Sequence, residues 1–265
     1  REVLGEDVPV SVTLNLHVIR PADPTSAADL DAVRQIDALA NRAFTGPMIE
    51  GAYPADLLSD TAAISDWAFV QDGDLELIHQ PLSVLGVNYY STTMVRHSPQ
   101  GDESSDNSGH RESSYTPWIG ADRVAFVKEP GPYTAMGWNI APEGLTELLL
   151  DLSARYPDLP LMVTENGAAF EDEVSPDGRV RDVARVTYLH DHIAALVDAV
   201  DGGADVRGYF AWSLRDNFEW ARGHERRFGI IRVDYTTLER TWKDSARWYE
   251  RLTARRTIPA IDDVE

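Results

Sequence analysis

The sequence predicts an α/β fold, half of a (β/α)8 TIM barrel, and three observations carry that expectation. Four apolar segments, VPVSVTLNLHVI (8–19), LSVLGVNYYST (82–92), LPLMVTENG (159–167) and VRGYFAWSL (206–214), run nearly unbroken and end in polar or aromatic residues. Strands covered on both faces have this texture, whereas half-exposed antiparallel strands alternate. Each segment is followed, after a loop of variable length, by an amphipathic helical repeat, the alternation that builds right-handed βαβ units around a parallel sheet. The third observation is the count: four βα units, where a closed barrel needs eight. The 265 residues would accommodate a whole barrel, but the surplus lies in two long loops, about 45–80 and about 93–140.

The helices are marked by their ends. Ser26 and Asp29 make a capping-box pattern ahead of Leu30, Val33, Ile36 and Ala40. Pro142 suits a first helical position before Leu145, Leu148, Leu149 and Leu152. Asp182 opens a run through Val186, Leu189, Ile193, Leu196 and Val200 that stops at Gly202-Gly203, and a last helix is expected from about Asp244 through Trp248 and Leu252. The second long loop contains SPQGDESSDNSG (98–109), expected as a solvated tip. No internal repeat is visible, and residues 1–265 are expected to form a single domain.

Composition removes several classes of function. With 44 Asp and Glu against 24 Lys and Arg, the formal net charge is -20, which repels phosphate backbones and anionic membrane surfaces. The absence of cysteine excludes disulfides, thiolate catalysis and cysteine-ligated metals. No stretch approaches the roughly 18 apolar residues of a membrane span. The chain opens on Arg1 rather than Met, so its numbering is expected to start at a processing or fragment boundary, and a missing leader does not fix the location; the compartment expected is the cytoplasm.

In α/β barrels chemistry collects at the C-terminal ends of the strands, and here those ends are rich in acids, amides and aromatics. The third segment delivers Glu165 in Val163-Thr164-Glu165-Asn166-Gly167. A carboxylate on a strand rim suits a nucleophile or a general acid/base; pairing with a nearby Arg is the plainer alternative. The fourth ends Trp212-Ser213-Leu214-Arg215-Asp216-Asn217-Phe218-Glu219-Trp220. Indoles mixed with short polar groups fit a sugar, whose hydroxyls need fixed partners and whose C–H faces stack on aromatics; an aromatic core with helix caps has the same look. In Asn88-Tyr89-Tyr90, alternation allows Asn88 and Tyr90 to share the inner side with Tyr89 outside. Asn15 in TLNLH and Trp138 in MGWNIAPEGL complete the set.

Together and in order, TLNLHVIRP, LGVNYYST, MGWNIAPEGL, VTENG, GYFAWSLRDNFEW, RRFGIIRVDY and RTWKDSARWYERL resemble glycoside hydrolase family 1, the retaining β-glucosidase family. ENG alone is weak; its combination with WSLRDNFEW and RRFGI is specific. The resemblance implies that Glu165 is the catalytic nucleophile and that Tyr90 hydrogen-bonds it. It further implies that Asn88, Trp212, Glu219, Trp220 and Phe228 serve the sugar subsite and that Trp138 lines the aglycone side. A carboxylate at Glu219 favours an unphosphorylated hexose, with Arg222, Arg226 and Arg227 nearby expected as structural. No cofactor or metal is implied, since two carboxylates and water suffice. His190 and His192, two apart on a helix, make a poor metal pair; His17 is expected as a satisfied rim histidine, and His224 as a possible contact of the site.

One part of the family pattern is missing. Retention requires two carboxyl groups about 5–5.5 Å apart, and the Asn-Glu-Pro segment that carries the family's acid/base is absent from the 265 residues. The chain is therefore expected to correspond to strands five to eight, the C-terminal half. The expected partners are a β-glucoside or small oligosaccharide and an N-terminal half-barrel of the same enzyme, with a homo-oligomer as another way to cover the open edges. Glu171, Asp172 and Glu173 are expected as a solvated loop tip rather than a substitute acid. The isolated chain is expected to be inactive. A non-catalytic glycan-binding or regulatory half-barrel and a transglycosylase on the same scaffold stay open as alternatives.

Overall fold

A computed structural model describes residue 5 and residues 8–101 and 118–264. The first elements are β1 (Ser11–Asn15), β2 (Val18–Pro21), α1 (Ala27–Asp37), α2 (Ala43–Thr45), α3 (Ala55–Asp60) and α4 (Asp74–Ile78). They are followed by β3 (Val84–Asn88), β4 (Thr92–His97), β5 (Val124–Val127), α5 (Pro142–Arg155), β6 (Leu161–Asn166) and α6 (Val183–Asp201). The chain closes with β7 (Val206–Ala211), β8 (Ile231–Val233), β9 (Arg240–Trp242) and α7 (Asp244–Arg255).

The four expected strands form one parallel sheet in the order β1-β3-β6-β7. One face is packed under helices. Leu85, Val87, Leu161 and Val163 are buried together with Leu145, Leu149 and Leu152 of α5, and each fully buried aliphatic side chain contributes about 1.5–3 kcal/mol. Val186, Leu189 and Ile193 of α6 meet Ala246 and Trp248 of α7 in a second buried group. The opposite face differs from the expectation of strands covered on both sides. On β1 the residues Ser11, Thr13 and Asn15 are exposed while Val12 and Leu14 pack against the core, and on β7 Phe210 is 56% exposed. The apolar runs therefore encode one covered face; no helix lies over the other among the described residues.

Local signals explain most boundaries. Ser26 caps α1, its side chain accepting from the Asp29 N–H at 3.3 Å. The box is not reciprocal, because the Asp29 carboxylate accepts instead from the N–H groups of Asp23 and His97 at 3.1 and 3.0 Å. The buried stripe of α1 is Ala32 and Ile36, and Leu30 is 48% exposed. Beyond Asp37 the coil widens into π-wound turns at Ala38–Arg42 and Gly46–Glu50. Pro142 takes the first position of α5, and α6 runs from Val183 to Asp201, with Gly202 as its cap.

The two long loops hold more structure than expected. Residues 45–80 contain the short helices α3 and α4, and 93–140 contains most of β4 and all of β5. β2 pairs parallel with β4, which pairs antiparallel with β5, extending the C-terminal ends of β1 and β3 into a second sheet. β8 and β9 form a hairpin. Most of the 98–109 tract falls outside the described residues. No helix among the described residues is long and apolar enough to cross a membrane.

Candidate active site

Glu165 is the penultimate residue of β6, at the sheet's C-terminal rim. The register between β3 and β6 shifts after Val87, so Asn88 faces Glu165 across the ladder, and the Tyr89 N–H donates to the Glu165 carbonyl at 2.9 Å. This fixes the start of the next loop beside the carboxylate. Tyr90 Oη then donates to Glu165 Oε2 at 2.6 Å. Burial, and next the hydrogen bond to Glu165, push the Tyr90 phenol far above its ordinary pKa, so Tyr90 is a permanent proton donor to that oxygen.

An aromatic wall stands around this pair. The Trp138 ring lies 5.3 Å from Tyr90 and 6.0 Å from Phe228, and Phe228 meets Tyr90 edge-on at 6.2 Å. Trp212 packs against the same buried group. Burial and then the charge of Glu165 raise the pKa of Glu219, which puts the two carboxylates within each other's field. Tyr90, Trp138, Trp212, Glu219 and Phe228 thus gather about Glu165. Asn88, level with Glu165 in the ladder, accepts from Thr164 Oγ1 at 2.8 Å. Trp220, next to Glu219, is on the exposed turn, 79% accessible and in a positive-φ conformation. His224 meets Phe218 edge-on and Tyr235 at a tilt, ring centroids 5.5 and 4.3 Å apart. Two cavities, of about 350 Å³ beside Ser213–Asn217 and about 640 Å³ between α1 and α5, are lined by neither Glu165 nor Tyr90.

The residues after Glu165 are as constrained as the carboxylate itself. A Cβ on Gly167 would lie 1.7 Å from the Trp212 carbonyl oxygen, so only glycine lets the ends of β6 and β7 approach this closely. Asn166 is fully buried. Its Nδ2 donates to the Tyr89 carbonyl at 2.8 Å and to Tyr188 Oη at 3.1 Å, and its Oδ1 accepts from Tyr209 Oη at 2.8 Å.

A buried ionic cluster lies behind the rim, and it corrects the expectation for Asp172. The Asp172 side chain is fully buried rather than solvated, bound by Arg185 at 2.8 Å and Lys243 at 2.5 Å. Lys243, itself inaccessible, also reaches Asp216 at 3.1 Å. Arg185 pairs further with Asp182, and Arg227 with Asp216. The loops after β6 and β7 and the starts of α6 and α7 are thereby tied together. Glu171 and Glu173 are exposed, and Glu171 pairs with Arg226 at 2.9 Å. One signal for this cluster is readable in the sequence: Arg185 falls on the helix face of Val186, Tyr188 and Leu189, and a cation on an apolar face requires a buried anion.

The histidines match structural roles. The His17 backbone N–H donates to Asn41 Oδ1 at 2.8 Å, and burial lowers its ring pKa. His192 Nδ1 bonds the Tyr188 carbonyl at 2.8 Å and its ring stacks on Tyr188 at 3.8 Å; burial lowers its pKa to about 4. No group of three or more His, Asp or Glu that could hold a metal occurs among the described residues.

Residues 1–258 match the family described as Glycosyl hydrolase family 1. The chain belongs to that family. Among its family 1 relatives, the bifunctional beta-D-glucosidase/beta-D-fucosidase of Bifidobacterium breve is 49% identical over 260 residues, covering 96% of this chain and 53% of that protein. Beta-glucosidase A of Acetivibrio thermocellus is 35% identical over 246 residues, 93% of this chain and 51% of the relative. Among solved family 1 structures, the psychrophilic beta-glucosidase of Micrococcus antarcticus is 43% identical with a TM-score of 0.87, covering 93% of this chain and 53% of that one. The Thermotoga maritima beta-glucosidase in complex with deoxynojirimycin is 34% identical with a TM-score of 0.84, covering 97% and 53%. The chain spans about half the length of the curated relatives it matches.

Proposed function

We propose that this chain is strands five to eight of a family 1 TIM barrel, one domain, and the C-terminal half of a retaining β-glucosidase acting on terminal non-reducing β-D-glucosides. The observation that carries the reading is the 2.6 Å hydrogen bond from Tyr90 to Glu165 at the strand rim. A donor held on one carboxylate oxygen stabilises its negative charge and leaves the other oxygen to attack. In the mechanism, Glu165 bonds to the anomeric carbon as the glycosidic C–O bond breaks. The bond's electron pair goes to the leaving oxygen, which takes a proton from a carboxylic acid contributed by the N-terminal half. That group, now a carboxylate, takes a proton from water as the water attacks the glycosyl-enzyme and releases the sugar. No cofactor enters any step.

Glu219 serves the sugar. Its carboxylate accepts hydrogen bonds from two hydroxyls, so that binding energy favours the distorted ring of the transition state. Trp212 and Trp220 supply apolar surface for the C–H faces, the buried Phe228 backs that wall from within, Asn88 supports the subsite floor, and Trp138 borders the aglycone. Preference extends to related hexoses, in line with the dual description of the Bifidobacterium breve relative.

The partner is an N-terminal half-barrel that pairs with β1 and β7, whose outer edges have no strand beside them in the four-stranded sheet. A homodimer is disfavoured by a net charge of -20 per copy and would bring together two copies of Glu165 without the acid. The test is turnover of an activated aryl β-glucoside by the chain alone and by the chain joined to, or mixed with, the N-terminal half of a family 1 relative. Activity only in the completed form is expected. Equal activity of the chain alone would contradict the assignment of the acid to the missing half.

A further inference from the structure

Glu165 and Asn166 are neighbours whose side chains leave β6 in different directions. Glu165 meets the Tyr90 phenol at the rim, while Asn166 enters the core. Every polar atom of the Asn166 amide is used there. Both Nδ2 hydrogens have acceptors, the Tyr89 carbonyl at 2.8 Å and Tyr188 Oη at 3.1 Å, and Oδ1 accepts from Tyr209 at 2.8 Å. A backbone carbonyl accepts only, so the amide has a single orientation. Tyr188 in turn donates to the Tyr90 carbonyl at 3.4 Å, and its ring is held by the stacked His192. Tyr89 is pinned by its own hydroxyl, which donates to the Ala141 carbonyl at 2.6 Å in a space only Gly144 leaves open.

These bonds converge on the two peptide units that carry Tyr90. We infer that Asn166, with Tyr188 and Tyr209 behind it, is a positioning residue that holds the Tyr89-Tyr90 backbone in register, so that the Tyr90 phenol is delivered to Glu165. The inference rests on the reading of Glu165 as nucleophile. Its physical basis is that a hydrogen bond of 2.6 Å tolerates little displacement, and Tyr90 lies two residues past the end of β3 with no ladder of its own to fix it. Without the brace the phenol drifts and the carboxylate loses the donor that stabilises its charge. Tyr90 donates to Glu165 and Glu219 lies within its field, and in the completed enzyme the acid of the N-terminal half is a third group that the variants leave unchanged. Glu219 belongs to the other loop, so a shift in a brace variant reports on Tyr90.

The test uses the completed enzyme and the pH profile of kcat/KM. Tyr188→Phe is expected to lower kcat/KM about tenfold, and Asn166→Ala about a hundredfold, as catalytic groups are misplaced by fractions of an ångström. Both should move the acid limb upward by about half a pH unit or more, in the direction of Tyr90→Phe. Adding either change to Tyr90→Phe should then cost little more, because the brace acts through that phenol. Multiplicative losses with an unmoved acid limb would overturn the inference and leave Asn166 a purely structural residue. Should Asn166→Ala fail to fold, Tyr188→Phe, which removes one oxygen, carries the same two readouts. Labelling of Glu165 by a 2-deoxy-2-fluoro glucoside in the unmodified enzyme separates the two levels. A label on Glu165 with brace variants that behave as wild type defeats this inference alone; a label elsewhere defeats the nucleophile reading beneath it.

Discussion

Replacing Glu165 by Gln is expected to abolish turnover in the completed enzyme, with a loss on the order of 10⁴-fold or more, as when a covalent nucleophile is removed. The substitution is nearly isosteric. It keeps an oxygen for the Tyr90 hydroxyl to donate to, so the rim and the aromatic wall around Tyr90, Trp138 and Phe228 should persist. What disappears is the negative charge and the oxygen lone pair that attacks the anomeric carbon. The measurement is kcat on an activated aryl β-glucoside, with a circular dichroism melt to show that the fold is intact. Activity within tenfold of wild type in a folded variant would sink the assignment. In the truncated variant Glu165→Ala, which leaves room at the rim, restoration of turnover by added azide, with inversion at the anomeric carbon, is the further outcome expected of a lost nucleophile.

The second large effect is on stability. Lys243→Met is expected to cost about 3–5 kcal/mol, because it leaves the buried carboxylates of Asp172 and Asp216 short of a cation at a site closed to water. Urea unfolding should register the loss as a midpoint lowered by about 1 M or more. Arg207→Met provides the contrast: its pair with Asp205 at 2.9 Å is more than half exposed on both sides, and exposed pairs contribute about 0–1 kcal/mol. Equal costs for the two substitutions would contradict the picture of a dry ionic cluster. The cluster also bears on function, since it clamps the loop after β6, which begins at Gly167, to the loop after β7, which carries Glu219.

The sequence makes visible what is local or periodic. The four strands and the helices begun by Pro142 and Asp182 are legible because apolar spacing and end signals sit within a few residues of one another. Glu165, Tyr90, Trp138 and Phe228 are legible because segments matching a known pattern recur in order. β4 is missed because only two of the six residues of TTMVRH are apolar, and β5 because VAFV is four residues long and gains its strand character only from pairing with β4. Asp172 is misread for a similar reason. It stands between two other acids, Glu171 and Glu173, in what looks like a solvated tip, while the partners that bury it lie 13 and 71 residues away. Leu30 shows the opposite error: its helical spacing is right, but the stripe that reaches the core runs through Ala32 and Ile36. The role of Asn166 is hidden because a buried amide is read from its partners, and Tyr188 and Tyr209 come from α6 and β7.

The central claim is that Glu165 is a nucleophile held ready by Tyr90. Its most direct test is intact-mass spectrometry of the completed enzyme after incubation with a 2-deoxy-2-fluoro β-glucoside carrying a strongly activated leaving group. The fluorine slows release of the glycosyl-enzyme, and the leaving group departs with little help from an acid. The claim predicts one sugar adduct per chain, mapping to the peptide that contains Glu165 and lost in Glu165→Gln. A stoichiometric adduct on another carboxylate, or steady turnover of ordinary β-glucosides with no adduct at all, would contradict it.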